Sequence, residues 1–189
     1  SFQDCLVSKN KKFWLILLKV LRILQIFILF SEYTFKEKGK ENNMDRPAFK
    51  CEPLNGATLM NYLNELTDAY PFIGVEYIGE TIMGKPICAV IFGEGESEYL
   101  YISGHHGSEW ITGLALIRFI YELCEAHTVK RRIHGTDTEY LFREKRLVIV
   151  PLFNVDGAEL QQNGITENNP LKERILRMNG ENGDDFTHW

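Results

Sequence analysis

The tightest constraint on the fold lies between residues 99 and 153, where the hydrophobic period switches from strand to helix and back. Residues 99–102 form a short apolar run that ends at Ser103-Gly104. Residues 110–126 then carry apolar side chains at Ile111, Leu114, Leu116, Ile117, Ile120, Tyr121 and Leu123, the repeat of an amphipathic helix. Within residues 146–153, Leu147-Val148-Ile149-Val150 is apolar at every position, as a strand buried on both faces requires. A strand–helix–strand order must build α/β layers, because the helix has an apolar stripe to bury and the sheet supplies the surface that covers it.

The preceding chain supplies more elements of the same kind. Leu59, Tyr62, Leu63 and Leu66 recur at helical spacing between residues 56 and 70, and Pro71 stops the pattern. Residues 73–78 and 87–92 are strand-like, joined by a turn at Met83-Gly84-Lys85-Pro86, and Gly93-Glu94-Gly95 closes the second run. Beyond Gly157 the chain turns polar, with a short helix expected over residues 171–178 and a loop over 180–185. It stops at His188-Trp189 without a closing strand or helix. The expected class is α/β, with a mixed, mostly parallel sheet, helices on both faces, and an incomplete C-terminal end.

Composition narrows the function classes. The 189 residues are 44% hydrophobic and 25% charged, which suits a packed domain and not a disordered chain. A net charge of −5 without a long basic block argues against nucleic acid as the main partner. Four cysteines, none at C-x-x-C spacing, are too sparse for a disulfide scaffold, and Cys88 and Cys124 read as small buried hydrophobes with free thiols.

The first 43 residues do not match the rest. A basic cluster at residues 9–12 precedes an apolar run over 13–30, the order of a signal or membrane segment. Lys19 and Arg22 interrupt that run, each costing roughly 2.5–3.5 kcal/mol at mid-bilayer against about 0.3–0.6 gained per Leu, Ile, Phe or Val, so spanning comes out near break-even. Lys19, Arg22 and Gln25 would share a stripe of a helix, which also allows one lying on a membrane surface or packed on the domain. The first methionine is Met44, so residues 1–43 read alternatively as an in-frame upstream extension, with 44–189 as the domain proper. A start at Met44 implies a cytoplasmic product; a genuine 1–43 implies a membrane-anchored or exported one.

One constellation carries chemistry. Gly104-His105-His106-Gly107-Ser108-Glu109-Trp110 lies past the carboxyl end of a predicted strand and opens the long helix, where open α/β sheets place ligands. His106 and Glu109 stand about one turn apart, so an imidazole and a carboxylate can reach one ion, and such donors suit Zn²⁺. A catalytic zinc takes three protein ligands and a water, so the motif supplies two. The plainer alternative is a histidine bonded to a backbone carbonyl and a glutamate favoured by the helix macrodipole.

These residues resemble the zinc metallocarboxypeptidases, whose first metal-binding motif is a strand, Gly-x-His-x-x-Glu-Trp, then a helix. Residues 78–87, with Gly79, Thr81, Gly84, Lys85 and Ile87, are similar to the family's G-x-S/T-x-x-G-R/K-x-I hairpin. Val150-Pro151-Leu152-Phe153-Asn154-Val155-Asp156-Gly157 is similar to its x-P-x-x-N-P-D-G strand end, with Val155 in place of the usual proline. The three motifs stand in family order over residues 57–189, and residues 176–189 look most like the bacterial γ-D-glutamyl-diamino-acid endopeptidase branch, enzymes that cut peptidoglycan stem peptides.

The resemblance implies a Zn²⁺-dependent peptidase acting on peptide or peptidoglycan-derived substrates, with 44–189 as the N-terminal part of a carboxypeptidase-like catalytic domain. It makes His106 and Glu109 the first two zinc ligands and His105 a neighbour. Asn154 and Asp156 are expected to bond the turn that Gly157 completes. Arg177 is a candidate on the substrate side, with a solvated helix-end arginine as the alternative. Ser108 stands where some members carry a substrate-contacting arginine, which implies a different specificity. The family's third ligand histidine, general-base glutamate and carboxylate-gripping Asn-Arg pair fall beyond residue 189, so these residues alone are expected to be inactive. Two other functions stay open: an amidohydrolase of small acylated amino acids on the same fold, and a non-catalytic binding descendant.

Overall fold

The computed structural model describes residues 52–187. Helix α1 (Gly56–Ala69) begins at a reciprocal cap: the Asn55 side chain accepts from the Thr58 amide at 3.0 Å, and the Thr58 hydroxyl accepts from the Asn55 amide at 2.9 Å. Caps of this kind contribute about 0.5–2 kcal/mol. Strands β1 (Gly74–Glu80) and β2 (Pro86–Phe92) follow as a hairpin, then β3 (Ser97–Ile102). A single 3-10 turn (Gly107–Glu109) leads into α2 (Trp110–Thr128). A two-residue ribbon, β4 (Arg132–Ile133) with β5 (Thr136–Asp137), precedes α3 (Thr138–Glu144) and strand β6 (Lys145–Val150). Helices α4 (Val155–Asn163) and α5 (Lys172–Asn179) complete the order, with a 3-10 turn at Gly180–Asn182.

The main sheet has the order β1-β2-β6-β3. β1 pairs with β2 antiparallel, β2 with β6 antiparallel, and β6 with β3 parallel. The expected mostly parallel sheet is therefore corrected: it is mixed and mostly antiparallel. The reason lies in the connections. A parallel pair needs a long crossover, and the chain from β3 through α2 and α3 to β6 supplies one. The turn between β1 and β2 is too short for anything but a hairpin. β3 runs back from β2 after the short 93–96 turn, and β6 inserts between them, parallel to one and antiparallel to the other. Helices flank the sheet, as the α/β class requires.

Strand alternation sorts the core. Cys88, Val90 and Phe92 of β2, with Leu147 and Ile149 of β6, share a buried cluster with Leu59, Leu63 and Leu66 of α1 and Leu114, Ile117, Ile120 and Leu123 of α2. Ala89, Ile91 and Val150 form a second cluster with Ile87 and Val148 on the other face. A third joins Leu160 of α4, Ile175 of α5 and Phe186. Helix α3 and the α4 segment are absent from the expectations above. Seven residues are too few for a helical period to register, and α4 buries only Val155, Gly157, Ala158 and Leu160 among polar neighbours.

Among the described residues, no helix is long and apolar enough to cross a membrane. The membrane-anchored expectation is corrected to that extent and is not carried forward; residues 1–43, on which it rested, lie outside the described residues.

Cys88 and Cys124 are buried free thiols, as expected. Burial pushes the Cys124 thiol up to about 12 and raises that of Cys88. Alkylation followed by mass spectrometry at pH 8 should leave both unmodified in the native protein and label both in urea. Phe92 is fully buried among rings. Phe92→Ala should lower the unfolding free energy by about 3–5 kcal/mol in urea titration. Ile82→Ala, at an 81% exposed position in the β1–β2 turn, should change it by less than about 0.5 kcal/mol.

Candidate metal centre

The site grows out of the β3–β6 pair. Their parallel ladder continues past both strand ends: the Ser103 amide donates to the Val150 carbonyl at 3.0 Å, the Phe153 amide to Ser103 at 3.0 Å, and the Asn154 amide to Gly104 at 2.8 Å. The buried Ser103 hydroxyl donates to the Pro151 carbonyl at 2.5 Å. The two loops that leave the sheet are thereby zipped together, and the helices they open, α2 and α4, start side by side.

Gly104 makes the turn possible. Its φ is +63°, a conformation that L side chains rarely adopt, and a Cβ there would stand 2.7 Å from the Leu152 side chain. Its amide donates to the Thr112 hydroxyl at 3.2 Å, and that hydroxyl donates to the Glu109 carbonyl at 2.7 Å, so the first turn of α2 braces the loop.

His106 and Glu109 meet across this turn. Nδ1 of His106 lies 2.9 Å from Oε1 of Glu109, and the His106 amide donates to Oε2 at 3.3 Å. The hydrogen bond from the His106 ring holds the Glu109 carboxyl below its ordinary range. Both side chains open to solvent, at 72% and 43% exposure, so an incoming group can reach them. Among the described residues no third His, Cys, Asp or Glu joins them. One nitrogen and one oxygen thus stand side by side, a donor pair of the kind that zinc takes.

The other candidates fall around this pair or away from it. His105 is exposed and its ring tilts against Phe153, with centroids 5.6 Å apart. Ser108 is exposed in the 3-10 turn. Arg177 lies in the last turn of α5, in a shallow groove with Lys172, Leu176, Gly180 and Asp184. Asn154 bonds its own turn as expected, accepting from the Gly157 amide at 2.9 Å. Asp156 does something else: it accepts from the Thr81 hydroxyl at 2.8 Å and the Met83 amide at 3.1 Å, fastening the β1–β2 turn to α4. Lys85 and Glu159 pair across the same junction. One contact escaped the sequence reading altogether, the Asn154 side-chain amide donating to the His105 carbonyl at 3.0 Å. Its partners are 49 residues apart, and only the strand order brings them together.

A family model described as zinc carboxypeptidase matches residues 59–186 of this chain. The chain belongs to the zinc carboxypeptidase family. Zinc is the family's metal. Among curated relatives, the chain is 31% identical over 131 residues to γ-D-glutamyl-L-diamino acid endopeptidase 1 of Lysinibacillus sphaericus, covering 69% of this chain and 33% of that protein. It is 28% identical over 130 residues to the uncharacterised protein YqgT of Bacillus subtilis strain 168, covering 67% and 34%. The chain thus spans about a third of the length of these relatives.

Among solved structures, thrombin-activatable fibrinolysis inhibitor aligns with a TM-score of 0.53 at 17% identity, covering 69% of this chain and 36% of its own. Carboxypeptidase A of Helicoverpa armigera aligns with a TM-score of 0.50 at 19% identity, covering 75% and 34%. At these identities the likeness speaks for the zinc carboxypeptidase fold alone.

Gly104→Ala tests the turn that carries the pair. It should lower stability by roughly 1–3 kcal/mol in urea titration, the cost of forcing a side chain into a sparsely populated backbone region. It should also shift the amide resonances of residues 105–109.

Proposed function

We propose that this chain is the front part of a zinc-dependent peptidase in which His106 and Glu109 are the first two metal ligands. The observation that carries the reading is their convergence to 2.9 Å at the carboxyl end of β3, in a chain of the zinc carboxypeptidase family. Residues 44–189 would then form the leading part of the catalytic domain. The third ligand and the general base would come from chain outside the described residues. Zinc bound there would supply Lewis-acid polarisation of the scissile carbonyl and a water of lowered pKa.

The residues present do the preparatory work. The ring hydrogen bond orients the Glu109 carboxylate, Thr112 and Gly104 hold the turn, and solvent exposure leaves the pair open to a substrate-sized group. We propose peptidoglycan stem peptides as the substrate class. The support is the named activity of the Lysinibacillus sphaericus relative, at 31% identity.

The test is to express the longest reading frame containing this sequence and assay it with zinc against peptides holding a γ-D-glutamyl-diamino-acid bond. Cleavage should fall by about a thousandfold or more in His106→Ala and in Glu109→Ala, which corresponds to roughly 4 kcal/mol of lost transition-state stabilisation. Activity that survives both substitutions would sink the ligand assignment; cleavage only of other peptide bonds would sink the substrate class. Residues 1–189 on their own should bind zinc only weakly, and a tight equimolar site seen by calorimetry would contradict the two-ligand reading.

A further inference from the structure

The geometry points to Asn154 as the positioning residue of the metal centre: we infer that its side-chain amide, by holding the His105 carbonyl, fixes the peptide that presents His106 to Glu109 and to the metal. The inference rests on the reading of His106 and Glu109 as ligands and adds to it a residue that touches neither.

Three observations carry it. First, Asn154 uses both ends of its amide at once. Its oxygen accepts from the Gly157 amide at 2.9 Å, capping α4, and its nitrogen donates to the His105 carbonyl at 3.0 Å. A serine or aspartate would cap the helix equally well, because a cap needs only an acceptor. The donor half is surplus to capping, and it is aimed at the residue before the ligand.

Second, Gly157 is in the first turn of α4, where glycine carries a conformational cost of roughly 0.5–1 kcal/mol against alanine. A Cβ there would lie 2.4 Å from Nδ2 of Asn154 and within 2.8 Å of its other amide atoms. The glycine leaves the space into which the Asn154 side chain folds.

Third, the other hydrogen bonds of the His105–His106 stretch among the described residues stay within its own turn. His106 is 72% exposed, its ring and amide bond the Glu109 carboxylate, its carbonyl accepts from the Glu109 amide at 3.1 Å, and the His105 ring tilts against Phe153. The backbone bond from the Asn154 amide stops at Gly104. One donor on the next carbonyl extends that hold by a residue, to the edge of His106. Partners that orient metal ligands in this indirect way are typically worth 10–100-fold in metal affinity.

The decisive variant is Asn154→Ser, which keeps a capping oxygen, adds no charge, and is too short to reach the His105 carbonyl. Two measurements are made on the protein expressed from the longest reading frame that contains this sequence. Without metal, ¹⁵N relaxation reads the order parameters of the residue 105 and 106 amides, expected to drop from rigid-backbone values to below about 0.6 in Asn154→Ser. With Zn²⁺, the shifts of the His106 ring signals are titrated, and apparent affinity is expected to fall about tenfold or more. Thermal melting should stay close to the parent, because the cap survives. Asn154→Asp, which also caps, should reproduce the loss of order.

Order parameters unchanged in both variants would overturn the inference, and so would Asn154→Ser binding zinc as the parent does. If the parent's own His106 signals ignore zinc, the ligand reading fails. The order parameters then decide separately whether Asn154 holds the His105–His106 peptide.

Discussion

The parallel pairing of β3 with β6 is the interaction on which the rest of the described structure depends. It aligns Ser97 with Lys145 through Ile102 with Val150, and then runs on through Ser103, Gly104, Phe153 and Asn154 after the strands have ended. Backbone hydrogen bonds contribute only about 0.5–1.5 kcal/mol net apiece, so the value of the extension is geometric. It forces two chain segments some fifty residues apart to leave the sheet at one point. The cap and first turn of α2 supply Glu109 and Thr112, and the cap and first turn of α4 supply Asn154 and Asp156. Both helices also bring positive ends to that point, where the carboxylates of Glu109 and Asp156 are favourably placed.

The opposite end of α2 is held by a different kind of contact. His127 stacks on Phe142 with centroids 4.5 Å apart and an 18° tilt, and meets Phe72 and Phe92 edge-on at 4.9 and 5.4 Å. Its Nδ1 is buried with no hydrogen-bond partner among the described residues. An unmade bond of that sort costs about 1–3 kcal/mol, and three ring contacts at about 0.5–1.5 kcal/mol each offset it. The cluster joins the end of α2 to β2 and to α3, so the crossover is gripped at its far end while its near end carries the candidate ligands. A rigid crossover matters for such a site, because ligand geometry is set by the start of α2 and not by the exposed side chains.

What could be read from the sequence was what depends on neighbours along the chain. The 3.6-residue repeats of α1 and α2 were legible, as was β6, whose four apolar residues in a row announce a strand covered on both faces. His106 and Glu109 were legible as a pair for the same reason: three residues apart at a strand end, their meeting needs no knowledge of the sheet. Strand order was not legible, because nothing local marks β6 as the strand that slides between β2 and β3. The mostly parallel expectation failed there, since one crossover makes one parallel pair. Helix α4 was hidden by Glu159, Gln161 and Gln162, polar residues on a helix that rests on Val155, Ala158 and Leu160. Asn154 was read as a turn residue; its second bond, to His105, follows only from the strand order that local pattern does not reveal.

The run Asn154-Val155-Asp156-Gly157 condenses the logic of the site into four consecutive residues. Asn154 reaches back to the loop that carries His106. Val155 is fully buried and points into the core shared by α1, α2 and the sheet. Asp156 reaches the opposite way, to Thr81 and the Met83 amide, where Lys85 and Glu159 add a second tie. Gly157 contributes the room that the Asn154 side chain occupies. The loop that carries His106 is therefore connected through one helical turn to the β1–β2 turn, and the Val155 side chain pins that connection to the core. A segment whose residues each act in a different direction tolerates few substitutions, because any replacement loosens one of the ties. The stretch therefore helps to hold the loop that carries His106, although none of its side chains is a candidate metal ligand.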